Sequence, residues 1–140
     1  MERIVEAVGD GLTPTQLYDL LRLRAEVFVV EQGCAYLDPD GLDLEPTTRH
    51  LWVEDDGRVV AALRIVGNAI GRVVTASPRR SQGLASALVE RAVDGTPRPV
   101  RLNAQSHLVG WYEGLGFVVD GAGFVEDGIP HTPMIRRDEP

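Results

Sequence analysis

The chain has 140 residues and a formal net charge of −7, with 44% hydrophobic and 25% charged residues. This length predicts a single domain over residues 1–140, and the composition is typical of a globular protein with a sizeable core. The acidic balance argues against nucleic-acid and anionic-membrane partners, and no apolar run approaches the roughly 20 residues that span a bilayer.

The first predicted element is a helix over residues 13–30, which begins with Thr13 before Pro14. Its inward positions recur at helical spacing: Leu17, Leu20, Leu21, Arg24 and Phe28. Residues 33–48 predict a loop because prolines and glycines interrupt any regular element. The next stretch, HLWVEDDGRVVAALRIV, predicts two antiparallel strands joined at Asp56-Gly57, a strong hairpin signal.

The second half of the chain alternates between strands and helices. IGRVVTAS predicts a third strand that leads into a helix over SQGLASALVERAVD. PVRLNAQ predicts another strand, SHLVGWYEGLGF a short helix, and FVVDGAGFVEDGIPHTPMIR a closing pair of β segments. This order contains a β-helix-β crossover and therefore predicts an α/β fold with helices layered on a sheet.

Neither export nor a metal site is indicated. The N-terminus lacks the basic start and apolar core of a signal peptide, so we expect a cytoplasmic protein. Cys34 is the single cysteine, which excludes an internal disulfide and a cysteine-based zinc site. The run DPDGLDLE superficially resembles a calcium loop, but its glycine is misplaced for an EF-hand.

The stretch RRSQGLA predicts an anion site at the start of a helix. The first turn of a helix leaves backbone N–H groups unsatisfied, Gly83 and Ala85 keep the approach open, and Arg79 and Arg80 add charge. Residues 72–91 hold four arginines against one glutamate, a local excess of +3 in an acidic chain. Taken alone, the pattern is also consistent with an ordinary helix start bearing solvated arginines.

A second motif changes the balance between these interpretations. Arg80-x-x-Gly83-x-Ala85 after a strand, followed by Tyr112-Glu113-x-Leu115-Gly116-Phe117 after the next strand and helix, resembles the Gcn5-related N-acetyltransferase (GNAT) superfamily. RLRAEVFVVEQGCAYLDPDGLDLEPTTRH and EDGIPHTPM are similar to the ElaA-like subgroup of that superfamily. The resemblance covers nearly the whole chain.

The resemblance implies a mixed, mostly antiparallel sheet flanked by helices, with a splayed parallel strand pair at the cofactor site. It implies acetyl-coenzyme A as co-substrate, an amine as acceptor, no metal, and a homodimer as an open alternative. The residues that it assigns to the cofactor are Val73, Val74, Thr75, Arg79, Arg80, Ser81, Gln82, Gly83, Leu84, Ala85, Gln105 and Tyr112. Gln105 stands where many family members carry an asparagine, which leaves its role open.

Acetyl transfer requires a neutral amine, a stabilised oxyanion and a proton for the departing thiolate. Tyr112 resembles the general acid of the family. Glu31 and His107 are the leading candidates for a base, with His131 behind them, and Glu31 alternatively anchors the acceptor. Each of these residues could instead have a structural role.

The loop after the first helix is acidic. Residues 26–45 hold six carboxylates and no basic residue, so the loop either favours a cationic acceptor or is simply solvated. Arg64 and Arg72 are expected either to bind substrate or to pair with Glu54 or Asp55 across the sheet.

Two other functions remain open. A coenzyme A sensor or interaction module would keep the glycine turn but would have no need of Tyr112 as an acid. The stretch RAEVFVVEQ also resembles the entry helix of acyl-homoserine lactone synthases, which are longer chains.

Overall fold

Eight strands form one sheet among residues 1–137, which are the residues that the computed structural model describes. The last three residues of the predicted domain, 138–140, lie outside the described residues. The strands are β1 (Glu2–Val8), β2 (Arg49–Asp55), β3 (Arg58–Val66), β4 (Ala69–Thr75), β5 (Val100–Gln105), β6 (Val118–Val119), β7 (Phe124–Glu126) and β8 (Ile129–Arg136). The helices are α1 (Pro14–Arg24), α2 (Leu84–Asp94) and α3 (Val109–Glu113). No described helix is long and apolar enough to cross a membrane.

The sheet is mixed and mostly antiparallel, as predicted. Its strand order is β1-β2-β3-β4-β5-β8-β6, with β7 paired to β8, and among the strands of residues 1–137 only β4 and β5 run parallel. These two strands pair at Ala69 with Arg101 and at Ile70 with Leu102, and at no later position. The predicted splay is therefore present, and the diverging strand ends leave a gap in the sheet.

The predicted helix over residues 13–30 is only partly confirmed. Thr13 and Gln16 form a capping box that begins α1, with hydrogen bonds of 2.9 and 3.1 Å. After Arg24 the chain widens into a π-helical segment, Ala25–Glu31, where Gln32 N–H donates to the carbonyl of Val27 at 2.9 Å. Such segments are rare and often occur at functional sites.

The helices cover opposite faces of the sheet. Leu88 and Val89 of α2 are fully buried in the larger core, together with Phe117. Leu20 and Leu23 of α1 pack in the smaller core with Trp52, Val74 and Ala62 from the sheet. Burying both faces stabilises the strands and fixes α1 and α2 relative to the β4–β5 gap.

The strand β1 was not predicted. Glu2–Val8 pairs antiparallel with β2 along its whole length, from Glu2 opposite Asp55 to Val8 opposite Arg49. The strand lies at the sheet edge and four of its seven residues are exposed, so it lacks the regular alternation of a half-buried strand.

A buried ion network holds the loop of residues 33–48 against the sheet. Arg24 donates from Nε to Asp38 at 2.7 Å and from its two terminal nitrogens to Asp43 at 2.8 and 3.0 Å. Arg64 donates to Asp43 at 2.9 Å and also to Asp40. Three arginines, including Arg72, thus meet three aspartates in a region where Arg24 is only 2% exposed.

This network corrects two expectations. Arg64 and Arg72 pair with the loop aspartates and not with Glu54 or Asp55, because the loop folds over β3 and β4. The loop is also not a freely solvated acidic segment, because Asp38 and Asp43 are buried in ion pairs with the arginines. Its preference for a cationic acceptor stays a prediction.

Candidate active-site cleft

A cleft of about 910 Å³ opens where β4 and β5 diverge. Its walls come from the end of the π-helical segment, the loop after it, the turn before α2, and the segment around α3. Of the sequence-predicted site residues, the structure places the following along the cleft: Glu31, Val73, Val74, Thr75, Arg79, Arg80, Ser81, Gly83, Leu84, Ala85, Gln105, His107, Tyr112 and His131. Gln82 does not line it, since its side chain accepts a hydrogen bond from Arg79 at 3.0 Å.

The turn before α2 presents open backbone donors to the cleft. Within the part of the chain that the structure describes, the N–H groups of residues 81–86 donate to no carbonyl and no side chain. In contrast to α1, the helix α2 has no side-chain cap, because Gly83 occupies the N-cap with φ of 78°. Leu84 can contact a ligand only through its backbone, because its side chain is buried in the core. This arrangement can accept an anion through consecutive amides.

The arginines of this turn are not free charges. Arg79 pairs with Glu2 and with Asp55, the latter at 2.8 Å. Arg80 donates from its two terminal nitrogens to the two carboxylate oxygens of Glu31, with 2.8 Å between Nη2 and Oε1. The local positive excess expected from the sequence is therefore largely matched by acidic partners, and the backbone amides are the donors that remain open.

Glu31 is accordingly a weak proton acceptor in this arrangement. The hydrogen bonds from Arg80 lower the pKa of its carboxyl group, and the positive charge of Arg80 acts in the same direction. The carboxylate still lines the cleft, so it is available to an ion pair with a cationic group.

Tyr112 lies in the cleft wall with its ring in the core. The ring is 5% exposed and makes edge-to-face contacts with Trp111 at 4.8 Å and Phe117 at 6.1 Å. Burial raises the pKa of its phenol to about 12, so the hydroxyl keeps its proton at neutral pH. A protonated phenol at this position can donate a hydrogen bond into the cleft.

The two histidines of the cleft, His107 and His131, differ in how their side chains are held. His107 is exposed on the short turn before α3. His131 stacks on Phe124 at 5.7 Å, and its Nδ1 donates to the carbonyl of Ile129 at 2.8 Å. Because Nδ1 carries the proton, the other ring nitrogen is left as a proton acceptor.

Several cleft residues were not identified from the sequence. Gln32 exchanges two amide hydrogen bonds with Gln105, at 3.2 and 3.3 Å. Tyr36 of the loop donates to Asp38 at 2.8 Å and lies over Arg72 at 6.0 Å. The Gln32–Gln105 and Tyr36–Arg72 contacts join segments far apart in sequence, so no local pattern indicates them.

The family assignment follows from comparison with known proteins. Residues 34–137 match the family model described as an acetyltransferase (GNAT) domain. The chain belongs to the GNAT acetyltransferase family. Membership of this family indicates an enzyme of the N-acetyltransferase type. The mixed sheet with its parallel pair β4–β5 agrees with that assignment.

Relatives within the family cover most of the chain. A UPF0039 protein of Mycobacterium tuberculosis is 45% identical over 130 residues, which cover 86% of this chain and 83% of that protein. Protein ElaA of Escherichia coli is 38% identical over 90% of each chain, which confirms the ElaA-like resemblance. The crystal structure of ElaA matches with a TM-score of 0.89 at 36% identity, over 98% of this chain and 100% of ElaA.

A second solved structure is even more similar in fold. An acyl-CoA N-acyltransferase from Pseudomonas aeruginosa matches with a TM-score of 0.91 at 42% identity, over 97% of this chain and 99% of that one. GNAT domains generally use acetyl-coenzyme A. Among the described residues, no group of three or more His, Cys, Asp or Glu side chains is placed to hold a metal ion.

Proposed function

We propose that the protein is an acetyl-coenzyme A dependent N-acetyltransferase that acts on a small or cationic amine. The observation that carries this proposal is the open turn before α2, which lines a cleft formed by diverging parallel strands and whose N–H groups have no acceptor among the described residues. A pyrophosphate fits such a turn because it accepts several amide hydrogen bonds at once and because the positive end of the helix dipole favours an anion.

The remaining cofactor residues are proposed by position. Val73 and Thr75, at the end of β4, offer main-chain groups beside the gap, and the register between β3 and β4 shifts there. Gln105 ends the opposite strand β5. A pantetheine arm placed between these strand ends would direct its thioester towards Tyr112.

Acetyl-coenzyme A supplies a thioester whose carbonyl a neutral amine attacks. Tyr112 is proposed as the general acid, which donates a hydrogen bond to the departing sulfur. Its raised pKa, about 12, keeps the phenol protonated at neutral pH, where the proton is needed. The ring contacts with Trp111 and Phe117 hold the hydroxyl in place.

We propose His131 as the base that takes the amine proton, with His107 as the alternative from the same cleft. The contact from Nδ1 to the carbonyl of Ile129 fixes the His131 tautomer that can accept a proton. Glu31 is then proposed as an anchor for the acceptor, because its carboxylate lines the cleft and can pair with a cationic group.

A preference for cationic acceptors rests on the hairpin between β7 and β8. Glu126 and Asp127 line the cleft there, and neither has a salt-bridge partner among residues 1–137. Unmatched carboxylates attract an ammonium group and repel acidic substrates.

The test is the acetyl-coenzyme A dependent acetylation of a panel of mono- and polyamines by the wild type and Tyr112→Phe. The variant keeps the buried ring and loses only the hydroxyl, so we expect kcat to fall about 10²-fold or more, far more than the affinity for coenzyme A. If Tyr112→Phe acetylates amines as fast as the wild type, Tyr112 is not the general acid. Coenzyme A binding without turnover of any amine would favour the sensor function.

A further inference from the structure

Two consecutive residues at the end of the π-helical segment are bonded to both walls of the cleft. Glu31 accepts two hydrogen bonds from Arg80, which lies five residues after the end of β4. Gln32 exchanges two amide hydrogen bonds with Gln105, the last residue of β5. The segment therefore bridges the gap into which the two strands diverge.

Arg80 is held in a geometry that suits either a carboxylate or a phosphate. Its Nε donates to the carbonyl of Thr75 at 3.2 Å, which fixes the guanidinium beside the end of β4. Its two terminal nitrogens then form a fork towards Glu31. A guanidinium fork binds carboxylates and phosphates in the same paired manner, so one occupant excludes the other.

We propose that Glu31 and Gln32 form a latch across the cleft, and that the phosphates of a coenzyme A-type ligand open it by taking Arg80 from Glu31. This inference rests on the proposed function. Opening leaves the Glu31 carboxylate unpaired in the cleft, where it meets the ammonium form of an incoming amine. The latch thus couples the cofactor half of the cleft to its acceptor half.

The strength of the Glu31–Arg80 pair is compatible with this exchange. The two side chains are 42% and 40% exposed, respectively. Ion pairs exposed to this degree change an equilibrium constant by at most about fivefold. A ligand with two or three phosphate groups that also binds the open amides of the turn can therefore displace the carboxylate.

The experiment is calorimetric titration with coenzyme A of the wild type, Glu31→Gln and a matched control. Removing the competing carboxylate should tighten binding about three- to fivefold. Glu26→Gln is the control, because Glu26 forms the same type of exposed pair with Arg22 at 3.0 Å, on the same segment but outside the cleft. The control removes the same charge and should leave the affinity unchanged.

A double-mutant cycle with Arg80→Gln isolates the proposed contact. In the Arg80→Gln background, adding Glu31→Gln should no longer tighten coenzyme A binding, because the guanidinium group for which carboxylate and phosphate compete is absent. Affinity that is unchanged or weaker in a folded Glu31→Gln variant, as judged by thermal unfolding, would overturn the latch and leave the proposed function standing. Failure of the wild type and of Glu31→Gln alike to bind coenzyme A would instead refute the proposed function.

Discussion

Asp43 is the centre of the buried ion network, and its replacement by asparagine should cost about 3–5 kcal/mol of unfolding free energy. The carboxylate accepts hydrogen bonds from Arg24 at 2.8 and 3.0 Å and from Arg64 at 2.9 Å. Both arginines are almost fully buried, at 2% and 5% exposure. An asparagine side chain has a single acceptor oxygen and no charge. Arg24 would keep Asp38 and Arg64 would keep Asp40, but the network of three arginines would hold one buried positive charge without a counterion.

Urea denaturation at pH 7 measures this cost. The matched control is Glu54→Gln, which breaks a pair of 2.8 Å with Arg3, an arginine that is 72% exposed, and should cost less than about 1 kcal/mol. The two substitutions remove the same charge in different surroundings. If Asp43→Asn also costs less than about 1 kcal/mol, the network does not hold the loop and the reasoning from burial is wrong.

The same network predicts the direction of acid sensitivity. Burial disfavours the charged form of Asp43, but the hydrogen bonds and charges of Arg24 and Arg64 outweigh it and lower the pKa. Because the folded pKa lies below the unfolded value, the stabilisation is complete above about pH 4 and is lost as the pH falls through the folded pKa. Asp43→Asn should therefore flatten the acid limb of the stability profile, which urea titrations between pH 2 and pH 7 can follow.

Two further predictions concern packing and ionisation. Gly9→Ala would place a Cβ 2.3 Å from the carbonyl oxygen of Glu45. We expect it to lower the free energy of unfolding, measured with urea, by about 1–3 kcal/mol. Gly11→Ala is the control, because its Cβ would have its nearest contact at 3.4 Å and should leave the stability nearly unchanged. Since burial raises the pKa of Tyr112 to about 12, its phenol should not ionise by pH 11 in a 295 nm titration, and its contribution to stability should be lost between about pH 10 and pH 12. Ionisation of Tyr112 near pH 10 in the folded protein would show that its ring is not buried.

Local signals in the sequence were sufficient for much of the fold. The Thr13-Pro14 start fixes where α1 begins, because the capping groups and the proline ring act within one turn. Asp56-Gly57 supplies two residues with positive φ between β2 and β3, as a tight hairpin requires. The turn that ends at Gly83 could also be predicted, because its glycine lies next to the helix that it begins.

Features that depend on distant residues were not predictable in this way. The edge strand β1 becomes a strand by pairing with β2, about 50 residues away. The π-helical segment has apolar spacing that an α-helix would also satisfy, so periodicity could not distinguish the two.

The partners of the arginines were the largest error in the candidate site. Cross-strand neighbours were considered for Arg64 and Arg72, but the loop of residues 33–48 brings its aspartates to them from outside the sheet. Likewise, nothing near Glu31 in sequence indicates that Arg80, 49 residues later, is its partner. Loop conformation decides such contacts, and it is the part of the fold with the weakest local signals.

The measurement that tests the central claim most directly is calorimetric titration with coenzyme A of the wild type, Gly83→Ala and Gly83→Glu. Both variants share the strain of a side chain at φ of 78°, and an added Cβ meets nothing closer than 3.8 Å, so the alanine variant controls for the backbone. We expect binding by the wild type and by Gly83→Ala, and loss of binding when the glutamate carboxylate occupies the turn. Equal binding by Gly83→Ala and Gly83→Glu, both folded, would contradict the assignment of this turn to the cofactor phosphates.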